Sequence, residues 1–356
     1  TAFSDSLPGS KKCKGIMKNR ITFIRRIVQI ISLVLLVYGG YIFKTRLHTE
    51  TGKPLFPALK APEGYMSTTK FKQGSILWPS GDNPVLENYP PSLVCRFNPK
   101  GGLFKACIFH FISENLTWQT HIKYLLPHLT LFILLCFLFG RMWCGWVCPI
   151  GTVGDFITAI RKKMNIPARR FPDGFKAGLR FSSYGIMGVG FFISGLIGIP
   201  NFARFQCYWF LPYCQICPAR LICPLFGFIK PGWEDFETAI TSMFTILAWF
   251  IMGIFLAAFY FGRRIWCHLC PVGLINSFFN KGAGIELKKK AVRCNKCGLC
   301  ADACPMGLKE MYERNSDGVY NQNNCIMCMR CVEICPKEGC LSASFFGKKI
   351  TESKLK

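Results

Sequence analysis

Acidic residues are scarce in this chain: 19 Asp and Glu stand against 44 Lys and Arg in 356 residues, a formal net charge of +25. Such an excess suits nucleic acid or an anionic membrane surface. The basic residues gather beside apolar segments rather than in a stripe of their own, which argues against nucleic acid. Histidine is rare too, at 5 residues. No C-x-x-C-H occurs, so covalent c-type haem is not indicated. His121 and His128 stand two helical turns apart and, with His110, raise the question of a b-type haem. Ordinary polar contacts near a membrane interface are the simpler reading. No dinucleotide or phosphate-loop glycine pattern is present, which argues against a nucleotide or flavin site on this chain. Nor is there a catalytic residue of the acid–base kind.

What the chain does have is long apolar runs. Four blocks, residues 21–43, 124–140, 181–199 and 239–261, are apolar enough to be read as transmembrane helices, and the last contains no charge at all. Arg25 and Arg26 open the first block, where long side chains snorkel to the headgroups. The second contains Pro127 and His128, which a bundle interior tolerates better than lipid does. The first run is long and no small-residue cleavage site follows it, so it is expected to be an anchor rather than a cleaved signal.

Orientation follows from the flanking lysines and arginines. They crowd the basic N-terminus (residues 1–20), the 141–180 loop and the 262–290 loop, which are therefore expected on the cytoplasmic side. Loops 44–123 and 200–238 then face the opposite side. The expected architecture is a mainly α, multi-pass inner-membrane protein: a four-helix transmembrane bundle with both termini cytoplasmic, and a small α+β module at residues 291–345.

That module carries the clearest signal. Cys294, Cys297, Cys300 and Cys304 precede Pro305, and Cys325, Cys328, Cys331 and Cys335 precede Pro336. The pattern C-x2-C-x2-C-x3-C-P thus occurs twice, as in two-cluster bacterial ferredoxins, where the fourth cysteine of each run ligates the other cluster. Cluster I is expected on Cys294, Cys297, Cys300 and Cys335, and cluster II on Cys325, Cys328, Cys331 and Cys304. Paired zinc sites are the alternative, since C-x2-C also binds zinc. Lys296, Met306, Met327 and Met329, which lie among the ligands, read as packing and solvent face.

A second repeat follows spans two and four: Phe139-Gly-Arg-Met-Trp-Cys144-Gly-Trp-Val-Cys148-Pro149-Ile-Gly151, and Phe261-Gly-Arg-Arg-Ile-Trp-Cys267-His-Leu-Cys270-Pro271-Val-Gly273. Two helix ends on one face each supply a Trp-Cys and a Cys-Pro-x-Gly. Cys144, Cys148, Cys267 and Cys270 are therefore read as a third cluster site, against the alternative of inert buried thiols. Trp143 and Trp266 suit interface anchors. His268 reads as a hydrogen-bond partner to sulfur, since four thiolates are already at hand.

On the opposite side Cys207, Cys214, Cys217 and Cys223 lie within seventeen residues. A fourth cluster is one reading and two disulfides are the other, because that compartment is oxidising. If the loop holds a cluster, Cys95 and Cys107 become the first candidates for a disulfide. Cys13, Cys136 and Cys340 are left over.

These motifs resemble the NapH-type membrane iron–sulfur proteins, a group that includes the quinol-dehydrogenase subunit of periplasmic nitrate reduction and the membrane part of NosR. The resemblance covers about residues 120–340. It implies four helices with cysteine motifs on the cytoplasmic side, and electron relay between membrane quinol and partner redox proteins. The chain departs from the family at Cys267-x2-Cys270, one residue shorter than the family's C-x3-C-P, in the extra loop cysteines, and in its long first exported loop. Sequence and resemblance together predict an electron-transfer subunit with [4Fe–4S] clusters, quinone as small-molecule partner, and cytochromes or a terminal reductase as protein partners. The alternative is a redox-active assembly or regulatory factor for another metalloenzyme.

Overall fold

The computed structural model describes residues 20–43, 107–117, 122–166, 171–199, 201–202, 217, 239–321 and 323–354. The described residues up to Phe278 are mainly helical, and each apolar block lies largely within a helix. Helix α1 (Arg20–Phe43) is followed by α2 (Ile108–Thr117), α3 (Ile122–Phe139), α4 (Met142–Trp146), α5 (Pro149–Lys163), α6 (Asp173–Ile197) and α7 (Ala239–Phe261). Among the described residues two stretches, Arg20–Gly39 and Asp173–Ile197, are long and apolar enough to cross a membrane. Only 22% of each is buried within the molecule.

In α1 and α6 polar or small residues face inward at several positions while bulky apolar residues face out. Arg25 and Gln29 of α1 are buried while Phe23, Ile24, Ile27, Ile30 and Ile31 point outward. In α6 the inner positions are Ser183, Gly190 and Ser194, and Phe181, Val189 and Phe192 face out. Small residues allow close approach: a Cβ on Gly190 would meet the Phe109 ring of α2 at 2.8 Å. In α7 the positions Thr245, Ala248, Met252, Phe255 and Phe259 are buried, a three-and-four spacing that defines one face. Trp249, Phe250 and Ile254 lie on the other.

The C-terminal part begins with two short helices, α8 (Trp266–Leu269) and α9 (Pro271–Phe278). Strand β1 (Ile285–Lys289), helices α10 (Leu299–Ala303) and α11 (Glu310–Glu313), strand β2 (Gly318–Val319), helix α12 (Arg330–Ile334) and strands β3 (Leu341–Phe345) and β4 (Lys348–Glu352) follow. The strands form one antiparallel sheet in the order β2-β1-β3-β4, with Ile285 opposite Phe345 and Lys289 opposite Leu341. Alternation along β1 buries Ile285, Leu287 and Lys289. Ile285 and Leu287 pack with Met327, Met329, Val332 and Leu341 in the small core of the module.

This module is fixed to the helix ends. Ile21, Phe139, Met142 and Trp146 pack against its core. Trp146 Nε1 donates to the Met327 carbonyl at 2.9 Å, Asn280 Nδ2 to the Cys325 carbonyl at 2.8 Å, and the Thr22 amide to Glu333 Oε1 at 3.0 Å. Gly145 is required here because a Cβ would lie 2.3 Å from the Ile326 carbonyl oxygen. Lys309 Nζ meets Asp173 Oδ2 at 3.0 Å on the rim.

Candidate iron–sulfur sites

Four Cys-Pro pairs share one local conformation. Cys148 has φ −62° and ψ 120°, Cys270 −69° and 119°, Cys304 −66° and 118°, and Cys335 −65° and 121°. The following proline excludes the helical region for the cysteine. At Cys148 and Cys270 it also takes the first position of α5 and α9, where its missing N–H costs nothing. Each of these two cysteines therefore sits at a helix start, with backbone amides of the first turn directed at its sulfur.

In the module, two equivalent loops carry left-handed backbone at the same offsets from the first cysteine. These are Lys296 (φ 52°) and Gly298 (77°) after Cys294, and Met327 (47°) and Met329 (56°) after Cys325. Such a backbone turns successive N–H groups inward to form an anion-binding concavity. Met306, Met327 and Met329 are buried and Lys296 is exposed, so the methionines pack and the lysine faces solvent.

The cysteines meet in three quartets. Cys294, Cys297, Cys300 and Cys335 line one open cavity, together with Cys340 and Tyr312. Burial, reinforced by Cys297, Cys335 and Cys294, pushes the Cys300 thiol up to about 12. Burial and the proximity of Cys328, Cys325 and Cys304 push Cys331 well up. For Cys325 burial is again the first cause, then Cys328, and the value reaches about 12. Leu308 N donates to Cys304 Sγ at 3.4 Å.

At the helix ends, burial raises Cys148 and Cys270, and each feels Cys144 and Cys267. Cys270 reaches about 12, although the amides of Gly273 and Val272 favour its thiolate. Thiols crowded together in this way, two of them fully buried, need a cationic core before they can all ionise. That donor set fits an iron–sulfur cluster. Further support comes from buried hydrogen-bonding atoms with no protein partner: Trp266 Nε1, His268 Nδ1 and Arg141 Nε. Burial and the Arg141 charge push His268 down to about 4, so its ring is neutral at physiological pH.

Among the described residues no three Cys, His or carboxylate side chains close on the position of a single metal ion. A cubane spreads four irons, each with its own thiolate.

The helix-end quartet and the second module quartet touch. Cys144, Cys267, Cys328, Met306 and Ile326 form one buried group, with Cys304 and Leu308 against it. Spacing alone does not reveal that contact. Cys217 packs, partly buried, against the group of Val37, Phe255 and Trp266. Cys207, Cys214 and Cys223 lie outside the described residues, as do Cys95, Cys13 and His121. His110 N donates to Cys107 Sγ at 3.4 Å.

Several site residues carry no motif of their own. Asn276 Nδ2 approaches Cys144 Sγ at 3.8 Å, and Cys136 Sγ approaches Asn276 Oδ1 at 3.6 Å. Asp155 of α5 joins Arg264, at 2.7 Å, to Arg25, at 3.3 Å. The two repeats also cross-brace each other. Arg141 of the first donates to the Cys267 carbonyl of the second, and Arg264 of the second donates to the Cys144 carbonyl of the first at 2.7 Å. Gly151 and Gly273 leave room for these guanidiniums, since a Cβ would meet Arg264 at 3.0 Å and Arg141 at 2.9 Å. The repeated Arg-x-Trp-Cys and Pro-x-Gly was the signal for this arrangement in the sequence.

The 4Fe-4S binding domain family matches residues 128–167 and 242–290, and the 4Fe-4S dicluster domain family matches residues 286–336. The first spans both Trp-Cys repeats and the second spans both ferredoxin runs, up to Pro336. The resemblance to the NapH and NosR group holds. The ferredoxin-type protein NapH of Haemophilus influenzae is 25% identical over 56% of this chain and 61% of its own length. The regulatory protein NosR of Stutzerimonas stutzeri is 26% identical over 62% of this chain, which spans only 27% of that longer relative. An uncharacterized protein of Methanocaldococcus jannaschii is 26% identical over 69% of this chain and 89% of its own length. No solved structure is significantly similar to the chain. The chain thus carries matches to two 4Fe-4S domain families and is similar to ferredoxin-type and electron-transport proteins.

Proposed function

We propose that the chain is a multi-pass membrane electron carrier in which three [4Fe–4S] sites stand in series. Cys294, Cys297, Cys300 and Cys335 hold the first. Cys325, Cys328, Cys331 and Cys304 hold the second, and Cys144, Cys148, Cys267 and Cys270 the third. One observation carries the reading: Cys144 and Cys267 share a buried group with Cys328 and Cys304, so the second and third sites are neighbours across the module interface. Bound clusters supply one-electron redox chemistry. The protein supplies position, by docking the module on the helix ends, and burial where the second and third sites meet shields that contact from water.

A path inward from the open cavity of the first site ends at the helix ends, where a bilayer begins. Helices α1 and α6 support that placement, because polar or small groups inside and bulky apolar groups outside suit lipid as the surrounding solvent. Both chain ends are then cytoplasmic, and the third site exchanges electrons with membrane quinone. Redox proteins of a respiratory complex, such as cytochromes or a terminal reductase, are the protein partners. A fourth cluster in the 200–238 loop, on Cys207, Cys214, Cys217 and Cys223, would carry electrons to the opposite face.

Iron and acid-labile sulfide per chain, on anaerobically purified protein, test the reading. About twelve irons support the three sites and about sixteen add the loop, whereas about eight confine redox chemistry to the module and refute the third. A maturation or regulatory role has one observation behind it, the description of NosR as a regulatory protein. Isolation of the chain without any stoichiometric redox partner would favour that role.

A further inference from the structure

Arg141 is 2% exposed, and among the described residues it has no carboxylate partner. Arg264, its counterpart in the second repeat, is held by Asp155 at 2.7 Å. Every described hydrogen bond of Arg141 goes to a neutral oxygen. Its Nη2 donates to the Cys267 carbonyl, and its Nη1 to the Asn323 carbonyl at 3.3 Å and to Asn324 Oδ1 at 3.4 Å. Cys267 belongs to the helix-end quartet, while Asn323 and Asn324 immediately precede Cys325 of the second module quartet. The guanidinium is therefore wedged between two cysteine sites, and its charge acts on both Cys267 and Cys325.

A buried, unpaired cation is costly unless an anion lies close by. A cubane with four thiolate ligands is such an anion, with formal charge of about −2 oxidised and −3 reduced. We propose that Arg141 is the shared counter-ion of the two adjacent clusters, a positioning residue whose charge eases the reduction of both and offsets the repulsion between them when both are reduced. The inference rests on the third site proposed above. Asp155 is shared between Arg264 and Arg25, so Arg264 keeps part of its charge toward Cys267, whereas Arg141 has no described carboxylate beside it and touches both cysteine sites.

The experiment is potentiometric titration of the detergent-purified full-length protein, followed by electron paramagnetic resonance, with iron counted on each sample. At an effective dielectric near 20, one charge several ångströms away changes the ratio of reduced to oxidised cluster by roughly tenfold or more. Tenfold is about 59 mV for a one-electron couple. Arg141→Gln is expected to lower that ratio about tenfold at a fixed potential for the second and third clusters and to leave the first within twofold. Arg141→Lys keeps the charge and restores most of the ratio.

An unmoved ratio in Arg141→Gln, or an equal fall in Arg141→Lys, overturns the inference. If Arg141→Gln loses iron, Asn324→Asp takes its place, since it keeps the guanidinium and sets a carboxylate beside it. A tenfold fall in that variant supports the counter-ion role and no change refutes it. Wild-type protein with about eight irons would instead remove the third site itself.

Discussion

Asp155→Asn is the substitution that most directly tests how the helical part is held together. The carboxylate lies 2.7 Å from Arg264 and 3.3 Å from Arg25, and accepts from Gln29 Nε2 at 3.0 Å. The two arginine side chains are 1% and 3% exposed, so solvent does little to screen them. Asparagine keeps the shape but leaves two buried guanidiniums facing each other. Removing one partner of a buried ion pair costs about 3–5 kcal/mol. If only half of that falls on the unfolding barrier, inactivation accelerates by roughly ten- to a hundredfold. The assay is the half-life of the iron–sulfur absorbance at a fixed elevated temperature in detergent, where stability is properly a rate. A half-life within twofold of wild type would refute the reasoning. The pH dependence has a definite sign. Burial alone would raise the Asp155 carboxyl, but the charge and hydrogen bond of Arg264, then Arg25 and Gln29, outweigh it and hold the group well below the usual carboxylate range. A depressed folded value stabilises above the unfolded value of about 3.9, and that stabilisation is lost only as pH falls through the folded value. The gap between wild type and Asp155→Asn is therefore expected to be constant from about pH 5 to 8.

Gly145→Ala should loosen the module from the helix ends, because its Cβ would sit 2.3 Å from the Ile326 carbonyl. Overpacking of this kind costs about 1–3 kcal/mol, and faster proteolysis or cluster loss near Cys325 and Cys328 would register it. Cys300→Ser is expected to lose about four irons per chain. Cys340→Ser should keep all of them, since Cys340 lines the same cavity but lies outside both C-x2-C-x2-C-x3-C-P runs. An iron count on both variants decides. Lys309→Ala removes a partly exposed contact to Asp173, which should shift thermal half-life by less than about 1 kcal/mol in equivalent barrier. A larger shift would mean that the rim, rather than Trp146 and Gly145, carries the docking.

Much of this protein was legible in the chain because the relevant rules are local. An apolar run of about twenty residues can form a helix wherever it lies, and Ala239–Phe261 does so. Two-residue gaps between cysteines, closed by Cys-Pro, fix a loop geometry through proline sterics and left-handed turns, and the loops at Cys294 and Cys325 follow it. Even the left-handed positions had a pattern, but Lys296, Met327 and Met329 are not glycine, and nothing in their side chains announces the conformation.

Contacts between distant residues had no such signature. Arg141 and Cys267 are 126 positions apart, and Thr22 and Glu333 are 311 apart. No periodicity relates them. Asp155 carries no motif of its own, and only folding placed it between Arg25 and Arg264. Cys340 looked spare until the cavity put it beside Cys294 and Cys335. The sequence by itself determined which residues are suited to hold iron and which segments are suited to lipid, because ligand spacing and apolar length are properties of a short stretch of chain. Tertiary structure alone decided that the module sits on the helix ends, that two cysteine quartets become neighbours, and that a lone arginine lies between them. Those outcomes depend on which buried surfaces and charges can satisfy one another only after the chain has closed.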